Sequence, residues 1–162
     1  ANGTVDTILV TAKNTNPDTT KDTRTNTDIT SVVDGFLSLV KTVQTFDGAT
    51  GLILQDATGA LARPNDILEY VITFTNIGSS AAIESVIEDI IPADTTYVAG
   101  SLKIGAVVML DPADADGAEA IGTPVNSVRY RVGTGVVNTP TFTGGSVAQG
   151  ATGTVTFRVR VK

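Results

Sequence analysis

The sequence predicts an all-β fold, an antiparallel β-sandwich, and three observations carry that prediction. Leu68, Tyr70, Ile72 and Phe74 alternate with Glu69, Val71, Thr73 and Thr75, a period of two that sets four large side chains on one face of a strand. Val155, Phe157, Val159 and Val161 alternate with Thr154, Thr156, Arg158, Arg160 and Lys162, apolar on one face and cationic on the other. Elsewhere short apolar runs are separated by turn signals such as Asp47-Gly48, Ile77-Gly78-Ser79-Ser80 and Gly144-Gly145, the punctuation of many short antiparallel strands.

Taken in order, strands are expected at Phe36 to Val43, Leu52 to Asp56, Leu68 to Thr75, Ala82 to Ile91, Tyr97 to Ile104, Val107 to Leu110, Val128 to Val132 and Val155 to Val161. Only Ala82 to Ile91 has a spacing that a helix would also satisfy. The first residues differ in composition. Thr4 to Ala12 reads as a strand, Asn14 to Asp28 is almost all Thr, Asn, Asp and Lys around Pro17, and Asp28 to Val33 reads as a second short strand. The polar stretch cannot bury enough apolar area to offset its ordering entropy, so it is expected to be an exposed connector. Val5, Ile8, Leu9 and Val10 are too apolar to stay in water, and something is expected to cover them. The organisation expected is an N-terminal segment over residues 1–35 and a sandwich over 36–162.

Composition narrows the chemistry. The chain of 162 residues has no cysteine, histidine or tryptophan, which excludes thiolate and imidazole metal sites and the Cys–His and Ser–His–Asp nucleophiles. A formal charge of -6 argues against nucleic acid and against anionic membranes, since both select basic patches. No apolar run approaches the length of a membrane span. The start at Ala1 fits a mature end left by signal cleavage, so an extracellular or cell-surface location is expected.

Several motifs then occur in a recognisable order. Asp66 to Asn76 is followed by Ile77-Gly78, by Ile87-Glu88-Asp89-Ile90-Ile91-Pro92-Ala93, and by Thr96-Tyr97-Val98-Ala99-Gly100-Ser101. Together with Lys41-Thr42-Val43 upstream and Gln149-Gly150 through Val161 downstream, they resemble the repeat of secreted bacterial and archaeal surface proteins known as domain of unknown function eleven. The resemblance covers roughly residues 36–162. It implies an immunoglobulin-like antiparallel sandwich of stalks, adhesins, surface layers and filaments, and no enzymatic activity.

One departure is informative. In tandem members the late strand leads into G-T-[ILV]-x-N-x-A-x-V, an N-P-D loop, N-x-[TD] and a last strand. Here those pieces stand at the beginning, as Gly3-Thr4-Val5-Asp6-Thr7-Ile8-Leu9-Val10, Asn16-Pro17-Asp18, Asn26-Thr27-Asp28 and Ile29 to Val33. The expectation is an open sheet edge at Val155, Phe157, Val159 and Val161, completed by a donor strand of Thr4, Val5, Asp6, Ile8, Leu9, Val10 and Ala12. The donor either folds back into its own sandwich or enters another copy by strand addition. Donation between copies is heterologous and builds a fibre or a ring, of which the fibre is expected, so the partner expected is the chain itself, as a homopolymer. The function expected is a structural subunit of an extracellular filament, with an adhesin or stalk binding module as the alternative.

Candidate chemical sites are few, and no catalytic residue and no resident cofactor is expected. Asp111, Asp114, Asp116 and Glu119 offer the hard oxygen ligands that calcium takes, at a spacing that departs from the EF-hand. A solvated acidic loop is the bland alternative. Asn2 opens the only N-glycosylation sequon, Asn2-Gly3-Thr4. Glu84, Glu88 and Asp89 are expected to face solvent. The resemblance also raises a self-formed amide crosslink between Lys41 and Asp6, because related surface modules join a first-strand lysine to a last-strand Asn or Asp.

Overall fold

The structure, a computed structural model, describes residues 5–13, 23–31, 34–55, 62–113, 116–137 and 143–162, the first two stretches as backbone. The chain divides into two compact units, Ala1–Asp34 and Gly35–Lys162. The first contains β1 (Val5–Lys13) and β2 (Thr23–Ser31), which form a two-stranded antiparallel sheet with Val5 opposite Ser31 and Lys13 opposite Thr23. The polar connector expected up to Asp28 is therefore strand from Thr23 onward. Thr23, Thr25 and Thr27 lie in that stretch, and β-branched Thr suits a pleated strand whatever its polarity.

The second unit is a sandwich-like pair of antiparallel sheets. Its strands are β3 (Leu37–Phe46), β4 (Ile53–Gln55), β5 (Ile67–Asn76), β6 (Ala82–Ile90), β7 (Thr95–Tyr97), β8 (Lys103–Ile104), β9 (Val107–Val108), β10 (Ala118–Ile121), β11 (Ser127–Arg131), β12 (Gly145–Val147) and β13 (Thr152–Val161). In one sheet β5 pairs along its whole length with β3 on one side and with β13 on the other. On its far side β13 meets β7 and β8. The other sheet holds β10, β11, β6 and β12. The helical alternative for 82–91 gives way to a strand; a bulge explains the ambiguous spacing, because Glu84 sits at φ 52° and shifts the alternation there.

The core lies between the sheets. Ile72, Phe74, Val155, Phe157 and Val159 of one sheet meet Ile87, Val128, Tyr130 and Val132 of the other, all buried. The Tyr130 hydroxyl donates to the Thr156 carbonyl at 2.7 Å across that core, which satisfies a buried polar tip. Fully burying each large aliphatic side chain contributes about 1.5–3 kcal/mol.

Asn76 closes one corner. Its amide nitrogen donates to the carbonyls of Ser80 and Val147, and its Oδ1 accepts from the backbone N–H groups of Phe36 and Gly78. One side chain, 1 % exposed, thus satisfies four backbone groups and ties together three segments, Phe36, the turn of Gly78 and Ser80, and Val147 of β12.

The last strand corrects the sequence expectation. Val155, Phe157 and Val159 lie on a strand paired on both sides, by β5 and by β7 and β8, and Val161 pairs with Thr95. They form core, not an open edge. A strand's own alternation tells which face is buried and carries no information about its lateral neighbours.

Candidate assembly interface

The unpaired edges lie elsewhere. Along β3, β4 covers Thr45 and Phe46, and among the described residues no strand pairs with the outer edge of Leu37–Val43. On β6, the N–H of Val132 donates to the Ser85 carbonyl, and the N–H of Ile91 donates to the Asn126 carbonyl. Ser85, Ile87, Asp89 and Ile91 therefore turn their backbone groups toward β11, and alternation turns those of Val86, Glu88 and Ile90 the opposite way.

β12 does not cover that opposite edge. Its Ser146 bridges Thr134, just beyond β11, and its Gly145 pairs with Ser85, so β11 and β12 share one edge of β6. Gly133, at φ 100°, lets the chain swing aside there; a Cβ would stand 2.7 Å from the Ser146 backbone. Among the described residues, the second edge of β6 has no neighbour.

Both free edges open on the same side of the sandwich. Tyr130 of β11 reaches Thr156 of β13, while Lys41 of β3 reaches Asp89 of β6, with Nζ to Oδ2 at 2.5 Å. Hence β13 stacks on β11 and β3 stacks on β6. Register places Leu39, Lys41 and Val43 opposite Phe74, Ile72 and Tyr70, on the face that looks into the core. Leu39 nevertheless stays 51 % exposed. An inward-facing leucine left half in water marks a side that the described strands do not close. Flanking it are exposed Val40 on β3 and Ile83, Val86 and Ile90 on the outer face of β6.

Lys41 dominates the electrostatics of this side. Its ammonium lies 4.4 Å from the Tyr70 ring centroid and 5.6 Å from that of Phe157, and those rings stack on each other. Burial pushes the Tyr70 phenol above its ordinary range, with the nearby Asp89 charge adding to the effect. Alternation along either strand gives no warning of a charged pair between the sheets. Lys41 and Asp89 each sit at an inward-facing position, and only the stacking of β3 on β6 brings them together.

The other sequence candidates are dispersed. Asp111 accepts from the Tyr97 hydroxyl at 2.6 Å and from the Gly100 N–H, and Asp116 accepts from the N–H groups of Leu110 and Ala118. Glu119 pairs with Arg131 at 2.8 Å and with Arg129 at 3.3 Å. Asp114 lies outside the described residues, and among the described residues no three acidic groups converge on a metal position. Alternation reads Arg131 as an outward cation, yet its side chain is fully buried. Glu88 binds Arg129 at the surface, Glu84 is exposed at the bulge, and Asp89 is turned inward rather than to solvent.

Asn2 and Thr4 lie outside the described residues, as do the side chains of Val5, Asp6, Ile8, Leu9, Val10 and Ala12, whose backbone forms β1. The Lys41–Asp6 crosslink therefore falls outside the described geometry. Among the described residues no helix is long and apolar enough to cross a membrane. No family model matches the chain, and no curated protein and no solved structure matches it.

Proposed function

We propose that this chain is a structural subunit of an extracellular filament, an immunoglobulin-like sandwich that polymerises head to tail by lending its N-terminal hairpin to another copy. The observation that carries this reading is the pair of unpaired edges, on β3 and β6, opening on one side of a sandwich whose inward-facing Leu39 is half exposed there. Such edges invite another strand, and proteins leave them bare only at a cost in aggregation.

The hairpin supplies a strand of matching length. β1 and β6 are each nine residues long, about 30 Å at 3.3 Å per residue. A two-stranded sheet alone is at best marginally stable in water, so β1–β2 gains from a third strand as much as β6 does. Burial of Val5, Ile8, Leu9 and Val10 contributes about 1.5–3 kcal/mol each, and each new ladder hydrogen bond about 1 kcal/mol. Together these exceed the lower part of the association cost of about 4–15 kcal/mol. Because donor and acceptor are different surfaces, each added copy brings a fresh acceptor, and growth continues as a fibre.

Negative-stain electron microscopy of the purified chain tests the reading. Filaments are expected from the whole chain and none from a chain lacking residues 1–34, which should keep its β-rich circular dichroism. A synthetic peptide spanning Gly3 to Asn14 is expected to bind and stabilise the shortened chain. A whole chain that stays monomeric at every concentration, or a shortened chain that still forms fibres, would defeat it.

A further inference from the structure

Resting on the reading of strand donation, we infer that Asp6 of the incoming β1 docks on Lys41 of the receiving copy, beside Asp89, and that this contact sets the register of the junction. In an extended strand Asp6, Ile8, Val10 and Ala12 share one face, and Val5, Thr7, Leu9 and Thr11 share the other. The first face carries three successive apolar residues and suits the core, provided that Asp6 meets a cation on entering it. Lys41 is the one cation in the sequences of β3 and β6. Its ammonium sits on the inward side, 40 % exposed, held among the described residues by one carboxylate, Asp89, and by two aromatic faces. An ammonium has three N–H donors, so a second carboxylate arriving from the open side finds one free to receive it.

That contact also decides direction. Asp89 is the last residue but one of β6. With Asp6 at Lys41 and Asp89, a parallel β1 would run off the end of β6 within two residues. Antiparallel, Val5 lies opposite Ile90 and the strand continues past Ile87 and Ser85 up to the bulge at Glu84, so that at least Val5–Val10 of β1 lie along β6. Ile8 then stands opposite Ile87 and Val10 opposite Ser85, both buried. Val5 and Leu9 come to the outer face next to exposed Ile90 and Val86, and Val5, Leu9, Val86 and Ile90 shelter one another.

Two full-length variants test this, D6K and K41M, each alone and mixed in equal amounts, with the unchanged chain alongside. D6K alone brings a second ammonium against Lys41, and K41M alone sets Asp6 against Asp89 with no cation between them. Each is expected to raise the critical concentration for assembly at least tenfold, about 1.4 kcal/mol per junction. In the mixture, the ammonium that D6K carries on its β1 meets Asp89 of a K41M chain, where it replaces the missing cation. Asp6 of the K41M chain in turn meets Lys41 of a D6K chain. Filaments should return, with the two chains in equal amounts.

A methionine side chain fills the lysine's volume without adding charge, and circular dichroism of each variant establishes that it folds. Rescue in the mixture cannot arise from strands closing on their own sandwiches. If either folded variant alone assembles like the unchanged chain, or the folded mixture stays dispersed, the Asp6–Lys41 contact is wrong while strand donation stands. If the unchanged chain forms no filament, donation itself fails.

Discussion

Lys41 and Asp89 join the two sheets on the side of the sandwich where, among the described residues, no strand pairs with the outer edge of β3 at Lys41 or of β6 at Asp89, with nitrogen and oxygen 2.5 Å apart. The pair is only partly withdrawn from water, with Lys41 40 % and Asp89 17 % exposed. In the free subunit it should therefore behave as a surface-type pair with some help from the Tyr70 face. A double-mutant cycle of K41M and D89A, read by urea denaturation below the assembly concentration, is expected to give a coupling of about 1 kcal/mol. A coupling near zero would place the ammonium in solvent, away from Asp89.

Face assignment on β1 yields a graded mutational signature. With Ile8 directed inward and Leu9 on the outer face, I8D should abolish filaments outright, because it sets an unpaired carboxylate among Ile87 and the core. L9D should weaken assembly more mildly, since its charge reaches solvent, and T7S should leave it close to unchanged. Pelleting assays across a concentration series separate the three. The reverse order, with L9D the more damaging, would put the odd residues inside and break the register with Asp6.

How much of this is legible in the sequence depends on what a strand encodes about itself. The alternation through Tyr70, Ile72 and Phe74, and through Val155, Phe157 and Val159, marks two strands whose inward faces pack into the core. Lateral position is not legible. β13 reads as the final strand and therefore as an edge, whereas it is held between β5 and the pair β7 and β8. At β6 the bulge at Glu84 disturbs the period, which leaves a helix open as a reading. β10 and β12 escape notice because four and three residues, rich in Ala and Gly, carry little periodicity.

Charged residues mislead in a consistent direction, because a charge in an alternating strand reads as solvent-facing. Arg131 is instead buried against Glu119, and Asp89 and Lys41 face each other between the sheets. Each is tolerable only because a partner arrives from another strand. The open side is hidden for the same reason, since both of its edges are defined by neighbours rather than by the strands themselves.

Asn76 supports a prediction independent of assembly. Replacing it with Ala removes four hydrogen bonds and leaves the N–H groups of Phe36 and Gly78 and the carbonyls of Ser80 and Val147 to find other partners. Some of these can turn to water, so the loss should be about 2–4 kcal/mol. N76D should be nearly as costly, because it keeps the acceptor and loses both donors to carbonyls. Urea midpoints of the two variants check this. A loss under about 0.5 kcal/mol would mean that water replaces the corner without penalty.

The three tyrosines give a pH prediction with a definite sign. Burial raises the Tyr130 phenol well above its ordinary value of 10.0, and the charges of Tyr97, Asp89 and Asp111 add to the effect. Tyr97 is raised as well, first by burial and then by its hydrogen bond to Asp111, and Tyr70 is raised by burial and by Asp89. In the unfolded chain these phenols ionise near 10. A raised pKa in the folded state means that the stabilisation is fully present below that value. As the pH climbs past it, the unfolded chain releases protons that the native chain keeps, and stability falls.

The fully buried Tyr130 contributes up to about 1.4 kcal/mol per pH unit to this fall. Y130F lacks the titrating group and also the hydroxyl bond to Thr156, so at neutral pH it should be less stable by about 1 kcal/mol. Between about pH 9 and pH 11 its deficit should shrink, because only the unchanged chain loses the phenol's share. With no tryptophan in the sequence, phenolate absorbance follows tyrosine ionisation directly, and it should rise together with the loss of β-sheet circular dichroism. Parallel stability curves for the two proteins would show that Tyr130 is open to solvent and that the core between β11 and β13 is not closed over it.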